Sequence, residues 1–146
     1  MESLEGRRWT DSANLALRRE VLFSGSIVTT NEHDYVHGIA LFNRGKFFDA
    51  HEVLEDVWRS APKEEKKIWQ GLVQVAVALH HYSTGNRVGM RSVLVRAMNN
   101  LGAHPRDFHG VHVPRLLKSL ARWLDAFDND RPLPSLPRIE VAEREP

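Results

Sequence analysis

His51, Glu52 and Glu55 are the residues whose types and spacing can do chemistry. They stand in the run Phe47-Phe48-Asp49-Ala50-His51-Glu52-Val53-Leu54-Glu55-Asp56-Val57-Trp58. On a helix, His51 and Glu55 are neighbours by the i, i+4 relation. Apolar residues flank them: Ala50, Leu54, Val57 and Trp58 on one side and Phe48 on the other. Glu52 lies about 100° round from His51, nearer to solvent. An imidazole and a carboxylate one turn apart serve three kinds of chemistry. They form a structural hydrogen-bonded pair, they give two ligands to a divalent metal, or they act as a base with its orienting carboxylate. His51-Glu52 also opens the pattern H-E-x-x-H, but Glu55 stands where the second histidine would be. That removes the zincin ligand pair and with it the metalloprotease reading.

A second set lies downstream. In Ile68-Trp69-Gln70-Gly71-Leu72-Val73-Gln74-Val75-Ala76-Val77-Ala78-Leu79-His80-His81-Tyr82, helical steps place Gln70, Gln74 and His81 within roughly 40° of one another. Apolar residues fill most of the remaining circle, as in a helix buried at the centre of a domain. Buried amides and imidazoles need partners. His51 and Glu55 need them too, so the two sets are expected to converge, with Trp58 buried at the contact. Candidate metal ligands are His51, Glu55 and His81. A divalent metal is not the favoured reading, and the cofactor is left open. So is the question of whether the protein is an enzyme.

The elements that must position these residues are helices. Asn31 or His33 opens a helix carrying Val36, Ile39, Ala40 and Phe42, and Gly45 ends it with a positive φ. A second runs from about Lys46 to Ser60. Pro62, with Glu64 and Glu65 behind it, suits the first turn of the central helix. That helix, over 62–84, would be about 34 Å long. Gly85-Asn86 closes it, and a fourth helix over 87–103 buries Met90, Leu94, Ala97, Met98 and Leu101. Pro114 opens the last, to Asp128, with the stripe Leu116, Leu117, Leu120, Trp123, Leu124, Phe127. No segment alternates strongly enough for a strand.

The expected architecture is all-α. It is a compact bundle of five or six helices around one central buried helix. Residues 1–31 form an N-terminal segment in which Thr10-Asp11-Ser12 caps a short helix to about Phe23. Residues 32–128 form the helical domain, and 129–146 a tail with four prolines. Phe42-x-x-Gly45 returns as Tyr82-x-x-Gly85, and Val53-Leu54 as Val93-Leu94, each at the same offset. This reads as two stacked hairpins of tetratricopeptide-like form, although two units are too few for a solenoid.

Composition narrows the function. Lys+Arg 20 against Asp+Glu 19 gives no bulk charge for nucleic acid or an anionic membrane. With no cysteine there are no disulfides, thiolate metal sites or cysteine nucleophiles. The charged N-terminus lacks the apolar core of a signal peptide, and no apolar run reaches the roughly 20 residues of a membrane span. The expectation is a cytoplasmic protein with no membrane partner. Charge is nonetheless uneven. Arg87, Arg91, Arg96, Arg106, Arg115, Lys118 and Arg122 face a single acid, Asp107, over residues 86–122. Residues 46–66 are richer in acids. Such a basic stretch is usually a solvated face, although it can bind an acidic partner or RNA, and no aromatic-rich RNA signature accompanies it. His104, His109 and His112 read as solvated loop histidines.

The run Leu41-Phe42-Asn43-Arg44-Gly45-Lys46-Phe47-Phe48-Asp49-Ala50-His51-Glu52-Val53-Leu54-Glu55-Asp56-Val57-Trp58, then Trp69-Gln70-Gly71-Leu72-Val73-Gln74 and Gly85-Asn86, resembles the bacterial and archaeal domain-of-unknown-function family 309. The resemblance covers about residues 36–104. Asp49 stands where that family commonly has Glu. The resemblance implies an all-helical bundle with one central helix. It also implies that Asn43, His51, Glu52, Glu55, Trp58, Gln70 and Gln74 belong to one motif. It implies no activity. The leading functional reading is a binding or interaction module with a buried polar cluster, open to a protein partner or a small molecule and compatible with a homo-oligomer. The alternatives are a metal-dependent hydrolase or related enzyme using His51, Glu52 and Glu55 with His81, and a binder of RNA or an acidic partner through the Arg-rich helices.

Overall fold

The computed structural model describes residues 30–142. Five helices and one 3-10 turn follow in order: α1 (Thr30–Asn43), α2 (Phe47–Arg59), the 3-10 turn Lys63–Glu65, α3 (Lys66–Ser83), α4 (Arg87–Gly102) and α5 (Val113–Asp128). Two isolated bridges, Phe108 with Val111 and Val111 with Val141, are the β pairing among the described residues. The expected helix ending near Phe23 lies outside them.

Two helical hairpins make the frame. In the first, Gly45 takes φ +84°; in the second, Gly85 takes φ +86°. The hydrogen bonds match as well. Gly45 N donates to Phe42 O and Lys46 N to Leu41 O, as Gly85 N donates to Tyr82 O and Asn86 N to His81 O. This double closure satisfies the carbonyls that a helix end leaves bare, and it needs a residue free to adopt positive φ. The internal repeat in the sequence is thus a repeated turn.

α3 is the central helix. It packs against α2 on one side and α4 on another, while α1 lies on α2 and α5 on α4. Ten of its eighteen residues are buried. Gly71 brings α3 and α4 close, because a Cβ there would stand 2.8 Å from Leu101 Cγ and 3.3 Å from the Ala97 carbonyl oxygen. α5 contributes Trp123, which meets Tyr82 of α3 edge-on at 4.8 Å. The central helix starts later than its sequence suggests. Glu65 N donates to Pro62 O at 2.9 Å, closing a 3-10 turn, and Pro62 is extended ahead of it (ψ 153°) instead of occupying a first α-helical position. Among the described residues no helix is long and apolar enough to cross a membrane.

The proline-rich tail returns to the start of the fold. Asn43 Nδ2 donates to Ile139 O, and Ile139 N donates to Asn43 Oδ1, both at 2.9 Å. The side-chain amide copies a strand edge and seats Ile139 in the core. Asn43→Ala should therefore free the tail at a cost of about 1–2 kcal/mol, since two partly buried hydrogen bonds lose their partner. Amide exchange at Ile139 should accelerate sharply. Unchanged exchange there would mean that apolar contact alone holds the tail.

Candidate functional site

α2 buries His51 and Glu55 one turn apart, at 1% and 7% exposure. The helix is strongly two-sided, with Ala50, Leu54 and Val57 buried beside them. His51 Nδ1 lies 3.3 Å from the Phe48 carbonyl oxygen. A carbonyl only accepts, so in the neutral ring the proton sits on Nδ1. Burial pushes His51 down to about 4. The Phe48 carbonyl opposes this in part, and His80 beside it adds to the lowering. At neutral pH the group is a neutral imidazole.

Across the interface, α3 supplies His80 and His81. Phe48 stands between two imidazoles, 5.4 Å from the His51 ring and 5.4 Å from the His80 ring. The rings of His80 and His81 are 6.5 Å apart. His80 is also held below its ordinary value, first by burial and then by His81. His81 is buried, and its Nδ1 lies 3.2 Å from Asn86 Nδ2. Asn86 Oδ1 is already committed to Gly89 N at 2.9 Å, capping α4. The amide nitrogen therefore faces His81 and donates to it, which puts the neutral His81 proton on Nε2. One asparagine both starts α4 and fixes the tautomer of a core histidine.

The remaining residues singled out by sequence are distributed around this pair. Gln74 Oε1 accepts from Asn100 Nδ2 of α4 at 2.7 Å, so its hydrogen bond goes to α4. Gln70 is half-buried. Asn43 serves the tail. Glu52 is half-buried, and its carboxyl is pushed up by burial and by Asp49. Trp58 is half-buried, where sequence reasoning expected it wholly enclosed. It stands at the last turn of α2, where the chain leaves for the 3-10 turn and one ring face is left for Lys66. The Lys66 ammonium lies 5.1 Å from the ring centroid and donates to the carbonyls of Trp58 and Arg59. The Trp58 indole N–H is itself buried, with no hydrogen-bond partner among the described residues.

Two features escaped sequence reasoning. His80 was counted as one more residue of the central helix, although it is the α3 side chain coupled to His51. His109 was read as a solvated loop histidine. It is exposed, in keeping with that reading, but not loose: its ring stacks on Trp69 at 5.9 Å, and its Nε2 lies 3.3 Å from both oxygens of Glu65. Trp69 Nε1 donates to Glu65 Oε1 at 3.1 Å, and Tyr35 Oη donates to the His109 carbonyl at 2.9 Å. The backbone of His109 takes φ +49°, so these contacts hold a conformation that non-glycine residues seldom adopt. The only advance signal was the neighbouring Gly110. Among the described residues, no three His, Asp or Glu side chains come together in a way that could hold a metal ion.

Stacked helical hairpins around a central helix, with a neutral histidine and a carboxylate buried between them, define the class: a small all-helical protein. Residues 35–93 match the family described as Domain of unknown function (DUF309), so the resemblance read from the sequence is borne out over that span. The match ends before the 104 expected and covers α1 to the middle of α4. An uncharacterized protein of Aquifex aeolicus is 37% identical over 73 residues, 49% of this chain and 22% of the relative. The uncharacterized protein YpuF of Bacillus subtilis is 36% identical over 61 residues, 41% of this chain and 35% of the relative. The chain thus spans about a fifth and about a third of the length of these two relatives.

Proposed function

We propose that this helical protein is a binding or interaction module, in which His51, Glu55, His80 and His81 fix the seating of α2 on α3. The observation that carries the reading is the state of His51. A general base works best with a pKa near the working pH. An imidazole held near 4 takes up a proton poorly at pH 7, yet it packs well as a neutral ring. Its Nδ1–H is directed at its own helix and not toward solvent. Phe48, 37% exposed, and half-buried His80 form the edge of the cluster, which is the surface offered to a protein partner or a small molecule.

The competing reading, a metal-dependent hydrolase built on His51, Glu52 and Glu55, needs a third donor near the pair. Elemental analysis of protein purified without a His tag separates the two. The module reading expects substoichiometric metal, no heat on zinc titration, and a Glu55→Gln variant that folds as the parent does. One metal per chain, lost in Glu55→Gln while circular dichroism is unchanged, would establish the hydrolase reading instead.

A further inference from the structure

Two segments far apart in sequence lie against each other, and both are fastened to α1. One is the loop 104–112 between α4 and α5. The other is the tail segment 138–142. Val111 and Val141 form an antiparallel bridge. His112 N donates to Glu140 O at 2.9 Å, and Ala142 N donates to Gly110 O at 2.7 Å. These backbone groups lie outside the helices, so each segment satisfies the other. The Arg115–Glu140 ion pair beside them is exposed and adds little.

α1 holds each segment by one side chain. Asn43 takes both backbone groups of Ile139, and Tyr35 Oη donates to the His109 carbonyl at 2.9 Å. The two fasteners stand about 12 Å apart along the helix. Residues 132–137 carry three prolines and, among the described residues, no backbone–backbone hydrogen bond. The backbone hold on the tail is therefore concentrated at 139–142. Under the loop lies the central helix. The His109 ring stacks on Trp69, and Phe108 meets the same indole edge-on at 5.1 Å. Trp69 is 3% exposed, whereas His109 is exposed and forms the outer layer.

We infer that the loop is a lid over Trp69 and the tail a strap that holds it shut, the two opening as one unit. If the tail leaves, His112 N and Gly110 O lose their partners and buried Val111 loses Val141. His109 then keeps its φ of +49° only through Tyr35 and Glu65. A backbone conformation of that kind persists where its surroundings over-determine it, and the strap supplies the excess. The coupling runs both ways, as linkage requires. Opening uncovers the Trp69–Phe108 aromatic pair while the helices stay packed, because segments with few buried contacts open first. This inference rests on residues other than the His51 cluster.

The test is amide exchange followed by NMR on the full chain. In the parent, the amides of Phe108, Val111, His112, Ile139 and Ala142 should share one opening equilibrium, easier than that of Leu72 and Val75 in α3. Asn43→Ala should speed exchange at Phe108 and Val111 about five- to thirtyfold, although Asn43 touches neither. Tyr35→Phe, which removes one hydroxyl from the lid, should speed exchange at Ile139 of the strap about fivefold. A covalent strap gives the opposite sign. The chain has no cysteine, and Val111 and Val141 face each other as a non-hydrogen-bonded pair, with Cα atoms about 4.5 Å apart and within reach of a disulfide. In the double variant Val111→Cys, Val141→Cys, oxidation should slow exchange of the Trp69 indole N–H about tenfold relative to the reduced form. The inference is overturned if Phe108 and Val111 keep the parent rates in Asn43→Ala, or if Ile139 keeps its rate in Tyr35→Phe. It is equally overturned if the five amides open only together with Leu72 and Val75, or if the Trp69 indole exchanges alike in the oxidised and reduced forms.

Discussion

Gly71→Val should destabilise the protein by about 3 kcal/mol or more, at the upper end of what overpacking costs. The reason lies in how close α3 and α4 come. A Cβ at position 71 meets Leu101 Cγ at 2.8 Å and Cδ2 at 2.9 Å. Leu101 is fully buried, so it has no solvent to swing into. Behind it stands the Ala97 carbonyl oxygen at 3.3 Å, which moves only if α4 moves. Valine adds two methyl groups and is stiff at χ1 in a helix, so it cannot turn away. Gly71→Ala should cost far less, because its single methyl is partly offset by a gain of about 1 kcal/mol in helix propensity. Urea denaturation of the three proteins checks this. A loss below about 1 kcal/mol for the valine variant would mean that the α3–α4 contact is looser than the structure has it.

The second large effect is a pH dependence. His51 sits near 4 in the folded chain and near 6.5 when exposed. Above pH 6.5 neither state holds the proton, and the contribution of His51 to stability is fully present. As pH falls from 6.5 toward 4, the unfolded chain binds a proton that the folded chain refuses, and stability is lost. Below about 4 both states are protonated and the loss stops. The whole difference is about 3 kcal/mol, most of it gone by pH 4.5. His80, lowered for the same physical reason, acts in the same direction. Carboxylates titrate over part of this range, so the comparison is with His51→Gln, whose stability should vary with pH much less steeply between 6.5 and 4.5. Parallel curves for the two proteins would show that His51 protonates freely in the folded state.

The helices were legible because glycine and proline punctuate them. Gly45, Gly85 and Pro114 mark ends and starts that the structure keeps. The buried character of α3 was legible because its apolar residues run nearly all the way round. Which neighbour each polar residue meets was not. A helical wheel orders residues about one axis and does not say which helix lies at each angle. Gln70, Gln74 and His81 share a stripe, yet Gln74 turns to Asn100 and His81 to Asn86. His80, about 100° from His81, is the residue that reaches the α2 side. Asn43 was recognised as part of a motif, but its partner Ile139 lies 96 residues away in a segment with no periodicity. Local pattern carries no trace of such a contact. The stacking of His109 on Trp69 was hidden in the same way, by a loop whose path depends on Tyr35 and Glu65.

The central claim is that His51 is a neutral packing group and not a poised base. The most direct test is an NMR titration of its imidazole in the folded protein, assigned by comparison with His51→Gln. The account predicts a midpoint near 4, and a neutral ring protonated on Nδ1 throughout the range around pH 7. A His51 midpoint near 6.5 with the fold intact, or a neutral ring carrying its proton on Nε2, would contradict it.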